Sequence, residues 1–234
     1  MRFYVYKRAL MLTAATIALL SGPVYAKDQT KPLKTSSGKI DLKDGDTLTI
    51  PSSTTPTIVP AITIDSTPAK NIVTIETGAL LSYKSTAGAI GVQANPSRTG
   101  EVILGGTIDL TGTGTGKDGI LIGDNTSASG TFTGNVDALN NTLFPAHKTA
   151  IALQSGSILK VQGDGSAGVF LQSDMTVDGD IIANGTINAL PTTANSTTSA
   201  GVTGIELDGT TNGKLIMSGI TEGFGQNGHA GNPA

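Results

Sequence analysis

The chain has 234 residues, a formal net charge of −3, no cysteine, and only 14% charged residues. Disulfides and thiolate metal sites are excluded, and the basic residues are too scattered to form the stripe that phosphate neutralisation needs, which excludes a nucleic-acid partner. Thirty-one glycines suggest disorder, but 38% hydrophobic residues and a slightly positive mean hydropathy are too apolar for that class.

Residues 1–26 read as a helical signal peptide. Arg2, Lys7 and Arg8 give a positive start, Ala9 to Leu20 is an apolar run, and Val24-Tyr25-Ala26 places small residues before a cleavage point. The run is short for a membrane span. The alternative is an uncleaved anchor, against which the polar Lys27-Asp28-Gln29 speaks. No later apolar stretch is long enough to cross a bilayer as a helix. The expectation is export through the inner membrane to the cell surface or the exterior, or to the periplasm if no barrel is supplied.

Residues 27–39 read as a loose polar linker, and 40–222 as the folded region. There, short bursts alternate apolar and polar residues: Ile62/Ile64, Val102/Leu104, Ile108/Leu110, Ile120/Ile122, Ile151/Leu153, Leu159/Val161, Val169/Leu171, Met175/Val177, Ile205/Leu207 and Leu215/Met217. Period-two alternation in Ile, Val and Thr marks strands, and the flanking Gly, Asn, Asp and Ser mark turns. No helical stripe of comparable strength follows the signal. Pro51 to Pro60 is too proline-rich for a central strand. Asn140 to Lys148 and Pro191 to Ala200 read as excursions, and 223–234 as a flexible end.

One phrase recurs, a small residue followed by apolar-x-apolar: Ala89 to Val92, Gly119 to Ile122, Ala150 to Leu153, Gly168 to Leu171 and Gly204 to Leu207. An irregular repeat of short strands predicts an all-β parallel β-helix (β-solenoid), in which stacked coils bury a continuous aliphatic column. At roughly 20 to 25 residues per coil the chain makes about eight to ten. The rival is a β-sandwich, which scarce aromatics and the recurring phrase disfavour.

These residues resemble the passenger region of autotransporters from Gram-negative bacteria. Leu42-Lys43-Asp44-Gly45-Asp46-Thr47-Leu48-Thr49-Ile50 is similar to the opening coil of such passengers. Gly100 to Ile108, Gly119 to Gly123 and Ile182 to Ile187 look like their recurring rung phrases. The resemblance covers roughly Lys39 to Ile220. It implies a secreted or cell-surface segment with a structural or adhesive role, not an enzyme, whose partner is a surface ligand of a host or neighbouring cell. The family also carries a C-terminal membrane barrel, which would need many alternating strands with aromatic girdles; the sequence contains none, so an N-terminal segment lacking the barrel is expected. Uncapped solenoid ends imply self-association.

Candidate chemistry is sparse. Thr113 to Ile120 nearly fits a calcium-binding nonapeptide, but in one copy, where such sites need tandem copies; a plain Gly-rich turn is expected. Asp178 and Asp180 could pair for polysaccharide cleavage, the basis of the alternative function, a carbohydrate-active β-helix enzyme. Gly179 between them suggests a solvated corner instead, with no Lys, Arg or His nearby. His147 and His229 lack a convergent partner set. The sequons at Asn125, Asn140, Asn184 and Asn195 are expected by chance. No catalytic, cofactor-binding or metal-binding residue is assigned.

Overall fold

The computed structural model describes residues 40–42, 45–52, 62–65, 70–83, 87–126, 129–136, 148–191 and 201–222, and the backbone of 28–29. The expected signal peptide and the 223–234 end lie outside the described residues. Within the 27–39 linker, Asp28–Gln29 form a short strand, β1. Its backbone runs parallel to Thr47–Leu48, so the linker reading is corrected at those two residues.

Among the described residues there is no helix, and the strands fall into three sheets. After β1, the chain enters sheet I at β2 (Ile40–Leu42) and sheet II at β3 (Thr47–Ile50). It then visits sheets I, II and III in turn: β4 (Ile62–Ile64), β5 (Asn71–Ile75) and β6 (Leu80–Ser82). The next circuit is β7 (Ile90–Ala94), β8 (Thr99–Leu104) and β9 (Thr107–Leu110). The following one splits its visit to sheet II: β10 (Asp118–Ile122), then β11 (Gly130–Val136) and β12 (Lys148–Leu153), then β13 (Ile158–Gln162). The last two do the same: β14 (Ala167–Leu171), β15 (Met175–Asp178), β16 (Asp180–Ala183) and β17 (Thr186–Leu190), then β18 (Thr203–Leu207), β19 (Thr210–Thr211), β20 (Leu215–Met217) and β21 (Ile220–Glu222).

The pairings between circuits are parallel. The exception is β11 with β12, which pair antiparallel through Asn135 and Thr149, and Val136 and Lys148. That pair is the stem of a hairpin, so the excursion expected at Asn140 ends one residue earlier than read, with Lys148 already in a strand. Parallel sheets of this kind exclude the antiparallel sandwich.

Register explains the sequence pattern. In sheet I, Leu42, Ile64, Ala94, Ile122, Leu171 and Leu207 are successive partners. In sheet II, Val73, Val102, Ile151 and Ile181 align, and in sheet III Leu81, Ile108, Leu159 and Ile187. These side chains are buried in one apolar cluster, apart from the half-buried Leu207 that packs on it. Each fully buried Ile, Leu or Val contributes about 1.5–3 kcal/mol by leaving water.

The recurring phrase is corrected in two places. Ala150 to Leu153 belongs to sheet II, not to the column formed by the other phrases. Ile90 aligns with Asp118, and Val92 with Ile120, so the first phrase stacks two residues out of the phase read from sequence. The true partners Ile40, Ile62, Val92, Ile120, Val169 and Ile205 lie 22, 30, 28, 49 and 36 residues apart. Long corners and the hairpin stretch the circuits, and sheet I receives six strands, fewer than the eight to ten coils expected.

That register puts Gly91, Gly119, Gly168 and Gly204 in one column. A Cβ on Gly91 would lie 2.5 Å from the Gly119 carbonyl oxygen, and one on Gly168 2.5 Å from that of Gly204. Sheet III fills the space: Ile108, Leu159 and Ile187 each press a side-chain carbon into this column. Small residues are therefore required where sheets I and III meet.

Candidate functional site

Three places on this frame carry polar or charged groups in unusual settings. The first is the corner from sheet III to sheet I, Thr111 to Lys117, the stretch that nearly fits the calcium nonapeptide. Asp109 at its start accepts from the Thr111 hydroxyl at 2.6 Å and amide at 3.0 Å. The Lys117 side chain is fully buried, and its Nζ donates to the Gly112 carbonyl oxygen at 3.0 Å. Its backbone N donates to Ser166 Oγ at 3.0 Å. Desolvation lowers the Lys117 pKa, with Asp109 opposing. The lysine thus brings its own cation to the carbonyl of a loop that would otherwise attract a metal ion. Adding calcium or a chelator is therefore expected to leave the melting temperature unchanged; a rise of several degrees with calcium would refute this assignment.

Asp118 follows directly and is 6% exposed. Its register partners, Ile90 and Ala167, are both buried. Burial pushes its carboxyl up to about 7, Glu206 on β18 adds to the effect, and a hydrogen bond with the Ala167 backbone opposes it. The sequence reading passed over both residues as part of a Gly-rich turn. A signal was present: in the phrase-aligned strands, Asp118 stands where Ile90 and Ala167 stand.

The second place is the stem of the hairpin. Asp178 ends β15 and Asp180 begins β16, with Gly179 between them as the expected break. The two carboxylates do not converge: Asp180 is buried and its Oδ1 accepts from the Lys214 backbone N at 2.8 Å. Asp178 does have a basic neighbour, contrary to expectation. Lys148 Nζ lies 2.5 Å from its Oδ2, both side chains about one-third exposed. The lysine is 30 residues away in sequence and arrives through the antiparallel stem, which spacing could not reveal. A half-exposed ion pair of this kind contributes at most about 1 kcal/mol.

Below the stem, Asn135 reaches past Gly100 to donate from Nδ2 to the Asn71 carbonyl at 3.4 Å, and Asn71 donates likewise to Leu42 at 3.5 Å. A Cβ on Gly100 would sit 2.8 Å from the same Asn71 oxygen. Polar side chains tie other circuits at the corner from sheet I to sheet II. Asp65 Oδ1 accepts from Asn95 at 3.0 Å and Arg98 at 3.1 Å, and Gln172 Oε1 accepts from the amides of Asp124 and Asn125 at 3.1 and 3.2 Å.

The third place is the outer surface of sheet II. Thr131, Thr176 and Thr210 are partners across three circuits, as are Thr99, Thr133 and Asp178. All are half-buried or exposed. The result is a ladder of hydroxyls at strand spacing, about 4.8 Å, with one carboxylate.

His147 and the sequons at Asn140 and Asn195 lie outside the described residues, as does His229. Asn125 sits in an exposed corner with φ 59°, and Asn184 Oδ1 accepts from the Ser218 hydroxyl at 2.5 Å. Among the described residues no group of three or more His, Asp or Glu side chains could hold a metal ion. No family model, no curated protein and no solved structure matches the chain.

Proposed function

We propose that the three sheets are the walls of a single parallel β-helix, and that the chain is an exported, non-catalytic structural or adhesive segment of the autotransporter-passenger kind. The observation that carries this reading is the order of visits: sheet I, then II, then III, repeated around one aliphatic cluster. A solenoid needs that order, and each circuit buries too little apolar surface to fold alone. The exterior supports the adhesive part. Its regular rows of Thr, Asn and Ser bind through many weak polar contacts, which suits a polyhydroxylated surface ligand.

The runner-up, cleavage of a polysaccharide, rests on Lys148, Asp178 and Asp180. It ranks lower because Asp180 is turned to the Lys214 amide and the carboxylates sit on separate strands, whereas acid–base cleavage needs convergent groups.

Expression of the full chain in a Gram-negative host tests the reading. The expected product is exported, begins at Lys27, and releases no sugars from glycan panels. Retention in the cytoplasm with an intact N-terminus would remove the export claim, and sugar release lost in Asp178→Asn would favour the runner-up.

A further inference from the structure

The two ends of the stack are not alike. Among the described residues four large apolar side chains are exposed, and three belong to the last circuit: Leu215 at 40%, Ile216 at 41% and Ile220 at 60%. Leu215 is the register heir of Ile151 and Ile181, which are buried because a further circuit lies beyond each of them. At the opposite end, Leu42, Leu48 and Leu81 are buried in the early strands of sheets I, II and III, and β1 already lies along β3.

From this asymmetry we infer that the chain forms a closed two-fold dimer in which the last circuits, residues 203–222, stack end to end. A single open apolar end favours an isologous pair, whereas a filament needs a second, complementary open end. The last circuit offers 20 residues, the lower bound of what one side of a standard interface uses, about 20–30. The outer edges of β18, β20 and β21 face no further strand of this chain in the sheet order, so they can add backbone hydrogen bonds to the contact.

Charge selects the axis. Lys214 lies in the part of the circuit belonging to sheet II, and Glu206 and Asp208 lie in or just after the sheet I strand. An axis through the middle of sheet II would set Lys214 against its own copy, and one through sheet I would set Glu206 against its own. An axis through sheet III exchanges sheets I and II, bringing Lys214 to Glu206 and Asp208 of the second copy. It also faces the inner residue Leu215 with the other copy's half-buried Ile205 and Leu207, and puts Ile220 beside its counterpart. This geometry rests on the three-walled reading above.

Sedimentation of the full chain across a concentration series is expected to show a two-chain particle. Ile220→Lys and Lys214→Glu should each weaken it by tenfold or more, with unchanged far-ultraviolet dichroism. The natural absence of cysteine makes disulfide trapping clean: Thr210→Cys, near the axis, should cross-link to itself, and Ser52→Cys, at the other end, should not. A monomer that still melts cooperatively would overturn the dimer and leave the three-walled fold standing. A Ser52→Cys to Thr210→Cys cross-link in a mixture, or open-ended polymers, would overturn it in favour of head-to-tail stacking. A chain that melts without cooperativity would overturn the three-walled reading and the dimer with it.

Discussion

The chain should lose stability as pH rises from about 4 to about 7, and Asp118→Asn should abolish most of that loss. The Asp118 carboxyl is raised from an ordinary 3.8 to about 7, first by burial, then by Glu206. A carboxyl raised in the folded state holds its proton more tightly there than when unfolded. Its stabilising contribution is therefore complete below the unfolded pKa, falls through the interval, and is gone above the folded value. The interval corresponds to on the order of 4 kcal/mol, a large share of the 5–15 kcal/mol typical of a domain. The amide of Asn can keep an acceptor for the Ala167 backbone without titrating. Lys117 acts in the opposite sense: its lowered pKa makes stability rise with pH toward 10.5. The difference between parent and variant therefore isolates the carboxyl. Urea midpoints at pH 4.5, 6 and 8, at fixed salt, check it. Equal parent stability at pH 4.5 and pH 8, or an Asp118→Asn variant with the parent's slope, would sink the assignment.

What the sequence made legible follows from which forces are local. Alternation of Ile62 with Ile64, or of Leu159 with Val161, is a property of neighbouring residues, so strands and inward faces could be read directly. The stacking of those strands is not local. Ile151 carries the same phrase as Ile120 but serves sheet II, because the hairpin stem of β11 and β12 inserts between them, and a phrase carries no label for its sheet. Asp118 was unreadable for a related reason. Its burial depends on Ala167 and Ile90, 49 residues ahead and 28 behind along the chain, and its shift depends on Glu206, three strands along sheet I from β7 through β10 and β14. The Lys148 to Asp178 contact likewise needs the stem before it exists. Composition excluded whole classes of chemistry, but the placement of the few charges waited on register.

Register itself is exposed to test at Gly119, whose replacement by Ala is expected to cost about 3 kcal/mol or more. The added Cβ would lie 2.5 Å from Leu159 Cδ1 and 2.6 Å from the Gly168 carbonyl oxygen. The first obstacle is the end of a side chain and can swing aside; the second is the backbone of the next strand. Overpacking of a well-filled core typically costs about 1–3 kcal/mol, and displacing a strand that also carries Ala167, Val169 and Leu171 in register with Asp118, Ile120 and Ile122 adds to it. Gly156→Ala is the comparison. A Cβ there meets nothing within 4 Å, and only its φ of +83° opposes the change, a penalty of about 1–2 kcal/mol. Removing the movable obstacle distinguishes the two causes: if Leu159 alone were in the way, Leu159→Ala would rescue Gly119→Ala, whereas the Gly168 oxygen predicts that the double variant stays below Leu159→Ala by most of the original loss. Urea midpoints of the four proteins decide it. A Gly119→Ala chain within 1 kcal/mol of the parent would mean that Gly119 does not stack on Gly168 at all, and the column of small residues that lets sheet III press its aliphatics against sheet I would lose its physical basis.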